Sequence, residues 1–181
     1  YISYADAQEI AGLSAEEFET LTALSKLLAL RLKDCFAGIG LELWDGKFEF
    51  GFTAKNKNGQ RDFMLVDSIG PDELRLTRND VHLSKEALRG YYRHSPWYAG
   101  LAKAKELADQ RGSKEWKDIC INGLKLQPPA LSQSGKEQVE MVYKGIVKAL
   151  SQKYCTQVTY PEAWSLDDVV KGLQAKKKEV A

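Results

Sequence analysis

Aromatic and charged residues alternate along the segment from Leu41 to Phe52. Asp45, Lys47 and Glu49 occupy alternate positions, and aromatic residues fill most of the positions between and after them. Successive side chains of a β-strand point to opposite faces, so the pattern predicts one strand with an aromatic face and a charged face. A solvent-exposed sheet face alternates in the same way, and a plain wet surface is therefore the alternative interpretation.

A second strand follows closely. Residues 56–59 form a turn signal and residues 61–68 resume an apolar run, which together predict an antiparallel hairpin. A loop of residues 57–59 would place Asp67 directly opposite Glu49. Directly opposed Cβ atoms lie ~4.5–5.5 Å apart, where two carboxylates repel each other unless a cation lies between them. Because Mg²⁺ is usually held by one or two carboxylates and substrate phosphates, we expect a metal site here, for which Mn²⁺ fits equally well.

Helical spacing of apolar residues accounts for most of the remaining chain. Ser14 and Glu17 form a capping-box pattern ahead of an apolar stripe that continues to Gly38, which predicts a core helix. Further helices are predicted to start near Ser84, Ser95, Ser113, Ser134 and Ser165. The predicted fold class is therefore α+β, with an antiparallel hairpin that carries the charged residues, packed against helices, and a helical C-terminal part.

Composition and charge exclude several classes of protein. The 181 residues are 44% hydrophobic and carry a formal net charge of +1, so no global field attracts nucleic acid or an acidic membrane. No apolar run approaches the ~18–20 residues that span a bilayer. Three cysteines without a Cys-x-x-Cys pair favour a reducing, cytoplasmic location over a disulfide framework or a zinc site. The sequence contains no glycine-rich phosphate loop, so another element would have to hold the phosphates of any nucleotide.

The charged strand and the segment after it carry a resemblance to a known family. Residues 40–51, GLELWDGKFEFG, and residues 65–76, LVDSIGPDELRL, resemble the second half of the SAICAR synthetases, the phosphoribosylaminoimidazole-succinocarboxamide synthases of purine biosynthesis. Residues 83–93 and residues 127–129 are similar to the extended C-terminal part of the longer bacterial members. The resemblance implies a catalytic-domain core in residues 1–126 and a helical extension in residues 127–181.

The family's activity would explain the charged strand face. It implies an ATP-dependent ligase that joins carboxyaminoimidazole ribotide to L-aspartate with the help of Mg²⁺, through an acyl phosphate. The partners expected from the resemblance are these three small molecules, with no nucleic acid and no membrane, and a possible homodimer. The family's N-terminal ATP-binding half has no counterpart in this sequence, so we expect the chain by itself to be inactive and to need that domain.

Roles for individual residues follow from the matching positions. The resemblance implies that Glu49 and Asp67 are metal ligands. It implies that Asp45 orients the aminoimidazole or accepts a proton, and that Lys47 contacts the reacting carboxylate or phosphoryl oxygens. Arg75 would hold the ribotide phosphate, for which a guanidinium allows a bidentate grip.

The segment around Arg75 contains one further candidate residue and two departures from the family pattern. Asp72 is a weaker candidate for substrate binding in the same loop as Arg75. The family usually carries an acidic residue directly after the metal-binding aspartate, where this sequence has Ser68. It also has an aromatic residue after the arginine, where this sequence has Leu76 and Thr77.

Two other functions remain open from the residues. The Asp45-x-Lys47 pattern is similar to a strand motif of inositol polyphosphate kinases, which share the general fold, so a small-molecule kinase is one alternative. The loop of residues 70–75 favours the synthetase because it supplies a phosphate anchor that the kinase motif does not require. The second alternative is a remnant domain that binds a nucleotide or a partner protein without chemistry, against which the presence of all the charged site residues argues.

Overall fold

We describe the fold from a computed structural model, in which residues 2–93, 95–155 and 162–179 are described. The chain forms two compact units, the first ending at Leu76 and the second starting at Thr77. The helices are α1 (Tyr4–Ala11), α2 (Ala15–Ala37), α3 (Lys85–Gly90), α4 (Pro96–Gln110), α5 (Trp116–Asp118), α6 (Gln133–Tyr154) and α7 (Leu166–Glu179), with a π-helical turn at Ile119–Gly123. The strands are β1 (Glu42–Gly46), β2 (Phe50–Phe52), β3 (Phe63–Leu65), β4 (Leu74–Arg78) and β5 (Val81–His82).

Helix α2 begins and ends where the sequence predicts. The Ser14 hydroxyl accepts a hydrogen bond from the Glu17 backbone N–H at 3.1 Å, and the Glu17 carboxylate accepts one from the Ser14 N–H at 2.9 Å. This reciprocal pair satisfies two N–H groups that the first turn of a helix leaves without partners. The helix ends before Gly38, which confirms both predicted boundaries.

The prediction that α2 is a core helix is wrong in part. The helix packs against β1, yet Phe36 is its only buried residue among the described ones. Leu24, Leu27 and Leu30 are exposed, with 38%, 66% and 62% of their surface accessible. The apolar pattern of α2 is therefore wider than the face that the first unit covers, and these three leucines form an outward stripe.

The single strand predicted for residues 41–52 is two strands with different partners. β1 lies beside β4, and β2 pairs with β3. Between them, the Lys47 N–H donates to the Glu73 carbonyl at 3.0 Å, whereas the Glu49 carbonyl accepts from the Val66 N–H at 3.0 Å. The chain thus changes its hydrogen-bonding partner at residues 47–49. Gly46 permits a close approach there, because a Cβ at this position would lie 2.5 Å from a methyl carbon of Leu74.

The predicted hairpin is present, but its register differs by one residue from the prediction. Phe50 pairs with Leu65 and Phe52 with Phe63. Glu49 therefore faces Val66, so the prediction that Asp67 lies directly opposite it is wrong.

A bulge beside the loop causes this slip. Asn56 N–H donates to the Gln60 carbonyl at 2.7 Å, which closes the predicted loop of residues 57–59. The next backbone bond runs from Thr53 N–H to the Asp62 carbonyl at 2.9 Å. Between these two bonds one strand contributes residues 54 and 55 and the other contributes Arg61 alone, and such an extra residue shifts the register by one.

Arg61 joins the bulge to helix α2. Its Nε donates to Glu17 Oε1 at 2.7 Å and its Nη2 to Glu17 Oε2 at 3.3 Å. Its guanidinium carbon also lies 3.4 Å from the centre of the Phe52 ring, in a cation–π geometry. The hydrogen bond from Arg61, assisted by that from Ser14, lowers the pKa of Glu17 to about 2. The side chain opposite the bulge is thus held by a partner far away in sequence.

In the second unit, serine residues cap helices α3, α4, α6 and α7. Ser84 and Ser95 precede α3 and α4, and Pro96 occupies the first position of α4, which confirms the predicted starts. Ser134 and Glu137 have the spacing of a capping box, but the prediction that they cap α6 is wrong, because α6 starts at Gln133 and its cap is Ser132, whose hydroxyl accepts from Gly135 N–H. Ser165 accepts from Asp168 N–H at 3.2 Å and opens α7 as predicted.

Two buried clusters support the second unit. Ala104 and Ala108 of α4 pack with Ile119 and Cys120 of the π-helical turn. Helices α6 and α7 pack together elsewhere in this unit, and α6 buries Val142 and Ile146 while α7 buries Val169 and Val170. The predicted α+β class is confirmed, because the chain contains antiparallel strand pairs and helix α2 packs against β1. The predicted division into a core of residues 1–126 and an extension of residues 127–181 follows family relationship, whereas the two compact units follow the packing of the chain. That division therefore stays a prediction.

Among the residues that the structure describes, none of the helices has both the length and the hydrophobicity needed to cross a bilayer.

Candidate functional site

Lys47 lies between two carboxylates in the first unit. Its ammonium forms an ion pair with Glu49 Oε1 and lies 3.5 Å from Asp67 Oδ2. The side chains of Lys47 and Glu49 are about half exposed, at 58% and 51%, and that of Asp67 is 33% exposed. The three side chains therefore converge although the predicted register is wrong, because residues 47–49 leave the regular strand and turn toward the loop after β3.

The electrostatics of this cluster favour the charged form of Lys47. The hydrogen bond to Glu49, followed by the nearby charges of Glu49 and Asp67, raises the pKa of Lys47 above its ordinary value. A raised lysine pKa means that its pairing is fully present at neutral pH and is lost only when the solution becomes more alkaline than that pKa. The Lys47 ammonium thus stays charged between the two carboxylates over the physiological pH range.

A second ion pair joins the two other principal candidates. Arg75 Nη1 donates to Asp45 Oδ2 at 2.7 Å. Arg75 lies on β4 between Leu74 and Leu76, which are 2% and 0% exposed. Because side chains alternate along a strand, the burial of both leucines directs Arg75 to the open face. Asp45 reaches the same place from β1, the neighbouring strand.

The fit of a divalent cation can be judged from the donor set. Glu49 and Asp67 supply two carboxylates, both beside the Lys47 ammonium. Mg²⁺ commonly takes one or two carboxylates from a protein when phosphates supply further ligands. Within the described ranges, no group of three or more histidine, cysteine, aspartate or glutamate residues is arranged to hold a metal ion. Two carboxylates leave the remaining coordination positions of such an ion to water or to phosphate oxygens.

The loop between β3 and β4 contains Asp72, which is exposed. Its predicted part in substrate binding stays a prediction, as do the roles assigned to Asp45, Lys47, Glu49, Asp67 and Arg75.

The same loop contains two residues that the sequence did not single out for the site. Ser68 donates its hydroxyl to Glu73 Oε2 at 2.6 Å, and its backbone N–H donates to Asp67 Oδ1 at 2.8 Å. Ser68 was noted only as a departure from the family pattern. The contact between Ser68 and Glu73 could have been predicted from the turn of residues 70–73, which brings the end of the loop back toward its start.

The candidate residues form two ion-paired groups of mixed charge, Lys47 with Glu49 and Asp67, and Arg75 with Asp45. Lys47 and Arg75 provide two positive groups, and each lies beside a carboxylate that can instead bind a divalent cation or a proton donor. Ammonium and guanidinium groups complement phosphate oxygens, and carboxylates complement a metal ion.

Comparison with known proteins gives a family match over this region. A family model described as SAICAR synthetase matches residues 1–103. A putative phosphoribosylaminoimidazole-succinocarboxamide synthase of Archaeoglobus fulgidus is 34% identical over 178 residues, which are 96% of this chain and 46% of that protein. The phosphoribosylaminoimidazole-succinocarboxamide synthase of Pyrobaculum aerophilum is 38% identical over 80 residues, 44% of this chain and 32% of that protein. The chain thus spans less than half the length of these curated relatives.

Solved structures give partial matches. The phosphoribosylaminoimidazole-succinocarboxamide synthase of Ehrlichia chaffeensis aligns with 49% of this chain and 37% of its own, at 30% identity and a TM-score of 0.44. A type-2 SAICAR synthetase in complex with ADP aligns with 49% of this chain and 36% of its own, at 34% identity and a TM-score of 0.41.

Proposed function

The chain belongs to the SAICAR synthetase family, and from this membership we propose that it supplies part of the active site of an ATP-dependent ligase. The reaction joins the carboxylate of carboxyaminoimidazole ribotide to the amine of L-aspartate and yields SAICAR, ADP and phosphate. Family membership favours this function over the inositol polyphosphate-like kinase. The cytoplasmic location and the homodimer expected from the sequence stay predictions.

The chemistry assigns a different task to each ion pair. A carboxylate oxygen is a poor leaving group, so ATP would first phosphorylate it and aspartate would then displace the phosphate. Lys47 would contact the oxygens of the reacting carboxylate or of the phosphoryl group and offset their negative charge. Glu49 and Asp67 would hold the Mg²⁺ that accompanies the phosphates, and the ion would supply further charge stabilisation there.

Arg75 and Asp45 would position the ribotide. Arg75 lies on the open face of β4 and can offer its remaining N–H groups to a phosphate, while Asp45 would orient the aminoimidazole or accept a proton. The observation that carries the proposal is the convergence of Lys47, Glu49 and Asp67 within the part of the chain that the family model matches.

Genetic complementation tests the activity. The gene that encodes this chain, with its upstream sequence, would be expressed in a purine-auxotrophic bacterial strain that lacks the synthetase. We expect growth without added purine, and extracts that form SAICAR only when ATP and aspartate are both present. The Glu49→Gln variant should abolish growth.

The control for this variant is Glu140→Gln. Glu140 also pairs with a lysine and is 53% exposed, against 51% for Glu49, but it lies on α6. We expect Glu140→Gln to grow like the natural sequence. Failure of the unmutated gene, expressed with its upstream sequence, to form SAICAR would refute the proposed function, and growth of the Glu49→Gln variant would refute the assigned metal role.

A further inference from the structure

Four hydrogen-bond and ion-pair contacts close a ring around the loop between β3 and β4. The ammonium of Lys47 lies 3.5 Å from Asp67 Oδ2, and the other oxygen, Oδ1, accepts the Ser68 N–H at 2.8 Å. The Ser68 hydroxyl donates to Glu73 Oε2 at 2.6 Å. The Glu73 carbonyl in turn accepts the Lys47 backbone N–H at 3.0 Å. The ring therefore starts and ends at Lys47.

Each oxygen of the Asp67 carboxylate is fixed by a different member of this ring. A carboxylate held at one oxygen can still rotate, whereas contacts at both oxygens define its plane. The N–H that holds Oδ1 belongs to Ser68, an exposed loop residue whose hydroxyl is bonded to Glu73. The orientation of Asp67 is thus coupled to the side chain of Ser68. In none of these contacts does that side chain touch Lys47 or Glu49.

We propose that Ser68 is a positioning residue that acts through Asp67. Its hydroxyl, anchored on Glu73, holds the backbone N–H against Asp67 Oδ1, so that Oδ2 stays directed toward Lys47, where a divalent cation and phosphoryl oxygens would bind. This inference rests on the proposed function, because it assigns Asp67 to the metal. Ser68 thereby fixes the geometry of a ligand without itself contacting substrate or metal.

Binding of Mn²⁺ to the 181-residue chain tests this role without any assay of turnover. Paramagnetic broadening of backbone amide NMR signals near Glu49 and Asp67 gives an apparent dissociation constant for Mn²⁺ alone. Loss of an outer partner of a metal ligand commonly weakens metal binding by roughly 10–100-fold, and we expect about tenfold for Ser68→Ala because the site is exposed. Ser68→Thr keeps the hydroxyl and should restore the affinity of the natural chain.

Variants of Glu73 test the other end of the bond. Glu73→Gln keeps an oxygen that can accept the hydroxyl, so its Mn²⁺ affinity should stay close to that of the natural chain. Glu73→Ala should weaken binding as much as Ser68→Ala does. Because the two side chains act as one unit, the double variant Ser68→Ala/Glu73→Ala should be no weaker than either single variant.

A matched control is available in the second unit. The Ser165 hydroxyl donates to Asp168 Oδ2 at 2.6 Å, the same length as the bond between Ser68 and Glu73. Ser165→Ala should leave Mn²⁺ affinity unchanged, and circular dichroism would show that each variant is folded.

The outcomes separate the two proposals. If the natural chain binds Mn²⁺ and Asp67→Asn does not, the metal role of Asp67 stands. In that case, a Ser68→Ala variant with the affinity of the natural chain would overturn the positioning role alone. Equal losses in Ser68→Ala and Ser68→Thr would also overturn it, because the hydroxyl would then not matter. Absence of Mn²⁺ binding to the natural chain would overturn the metal role of Asp67 and, with it, the positioning role of Ser68, whereas SAICAR formation in the complementation assay tests the proposed function separately.

Discussion

Replacing Asp45 with asparagine should strengthen phosphate binding at Arg75. In the structure, Asp45 Oδ2 accepts from Arg75 Nη1 at 2.7 Å, and the two side chains are 58% and 44% exposed. A phosphate must compete with this carboxylate for the guanidinium. Exposed ion pairs contribute ~0.2–1 kcal/mol, and about 1 kcal/mol corresponds to roughly a fivefold change in a binding constant. We therefore expect Asp45→Asn to raise the affinity for ribose 5-phosphate by up to about fivefold.

Titration of the chain with ribose 5-phosphate, followed by ³¹P NMR, would measure the effect. Arg75→Ala should lose the binding. Asp62→Asn provides the control, since it removes the same charge from the hairpin, where the Asp62 backbone bonds to Thr53. If Asp45→Asn changes the affinity no more than Asp62→Asn does, the competition between Asp45 and phosphate for Arg75 is refuted. Weaker binding in Asp45→Asn would contradict it more directly.

Three further predictions concern the stability of the two units. Leu76→Ala should lower the free energy of unfolding by about 3 kcal/mol, because a fully buried leucine is lost, whereas Met64→Ala, at 53% exposure, should change urea denaturation little. The pairing of Glu17 with Arg61 should stabilise the fold above pH 4.5 and be lost as the pH falls through about 2; NMR titration of the carboxyl group checks this, and Arg61→Met should return the pKa to its ordinary range. Gly145→Val should destabilise the α6–α7 contact, since even a Cβ there would lie 3.1 Å from a side-chain carbon of α7, and thermal unfolding would show a lower midpoint.

The elements of the fold were largely predictable because their signals are local. Ser14 with Glu17, and Ser95 with Pro96, mark helix starts through contacts that span three residues or fewer, so the sequence contains the whole cause. The start of α6 was misplaced because several serines lie close together there and Ser132, not Ser134, makes the capping bond.

The register of the hairpin could not be predicted from its loop. The loop closes as expected, but Arg61 is held by Glu17, 44 residues earlier, and by the ring of Phe52. These contacts accompany the bulge that shifts the strands by one residue. A pattern of alternating residues contains no information about a partner so far away in sequence. The prediction that Asp67 lies directly opposite Glu49 was therefore wrong by one residue.

In the candidate site, too, local patterns identified the residues, whereas contacts between distant segments could not be predicted. The sequence singled out Lys47 and its two carboxylates, and the structure places them together. It also singled out Asp45 and Arg75, but as residues with separate roles, and their contact across β1 and β4 was not predicted. The bond between Ser68 and Glu73 was missed because it depends on how the intervening turn folds.

The outward leucine stripe of α2 has a practical consequence for every solution experiment on this chain. Leu24, Leu27 and Leu30 place apolar surface in contact with water along one side of a 23-residue helix. Exposed leucines so closely spaced on one helix favour self-association. Apparent affinities for Mn²⁺ and ribose 5-phosphate should therefore be measured at several protein concentrations and extrapolated to dilution, with Leu27→Gln as a variant that reduces the stripe while leaving the charged residues intact.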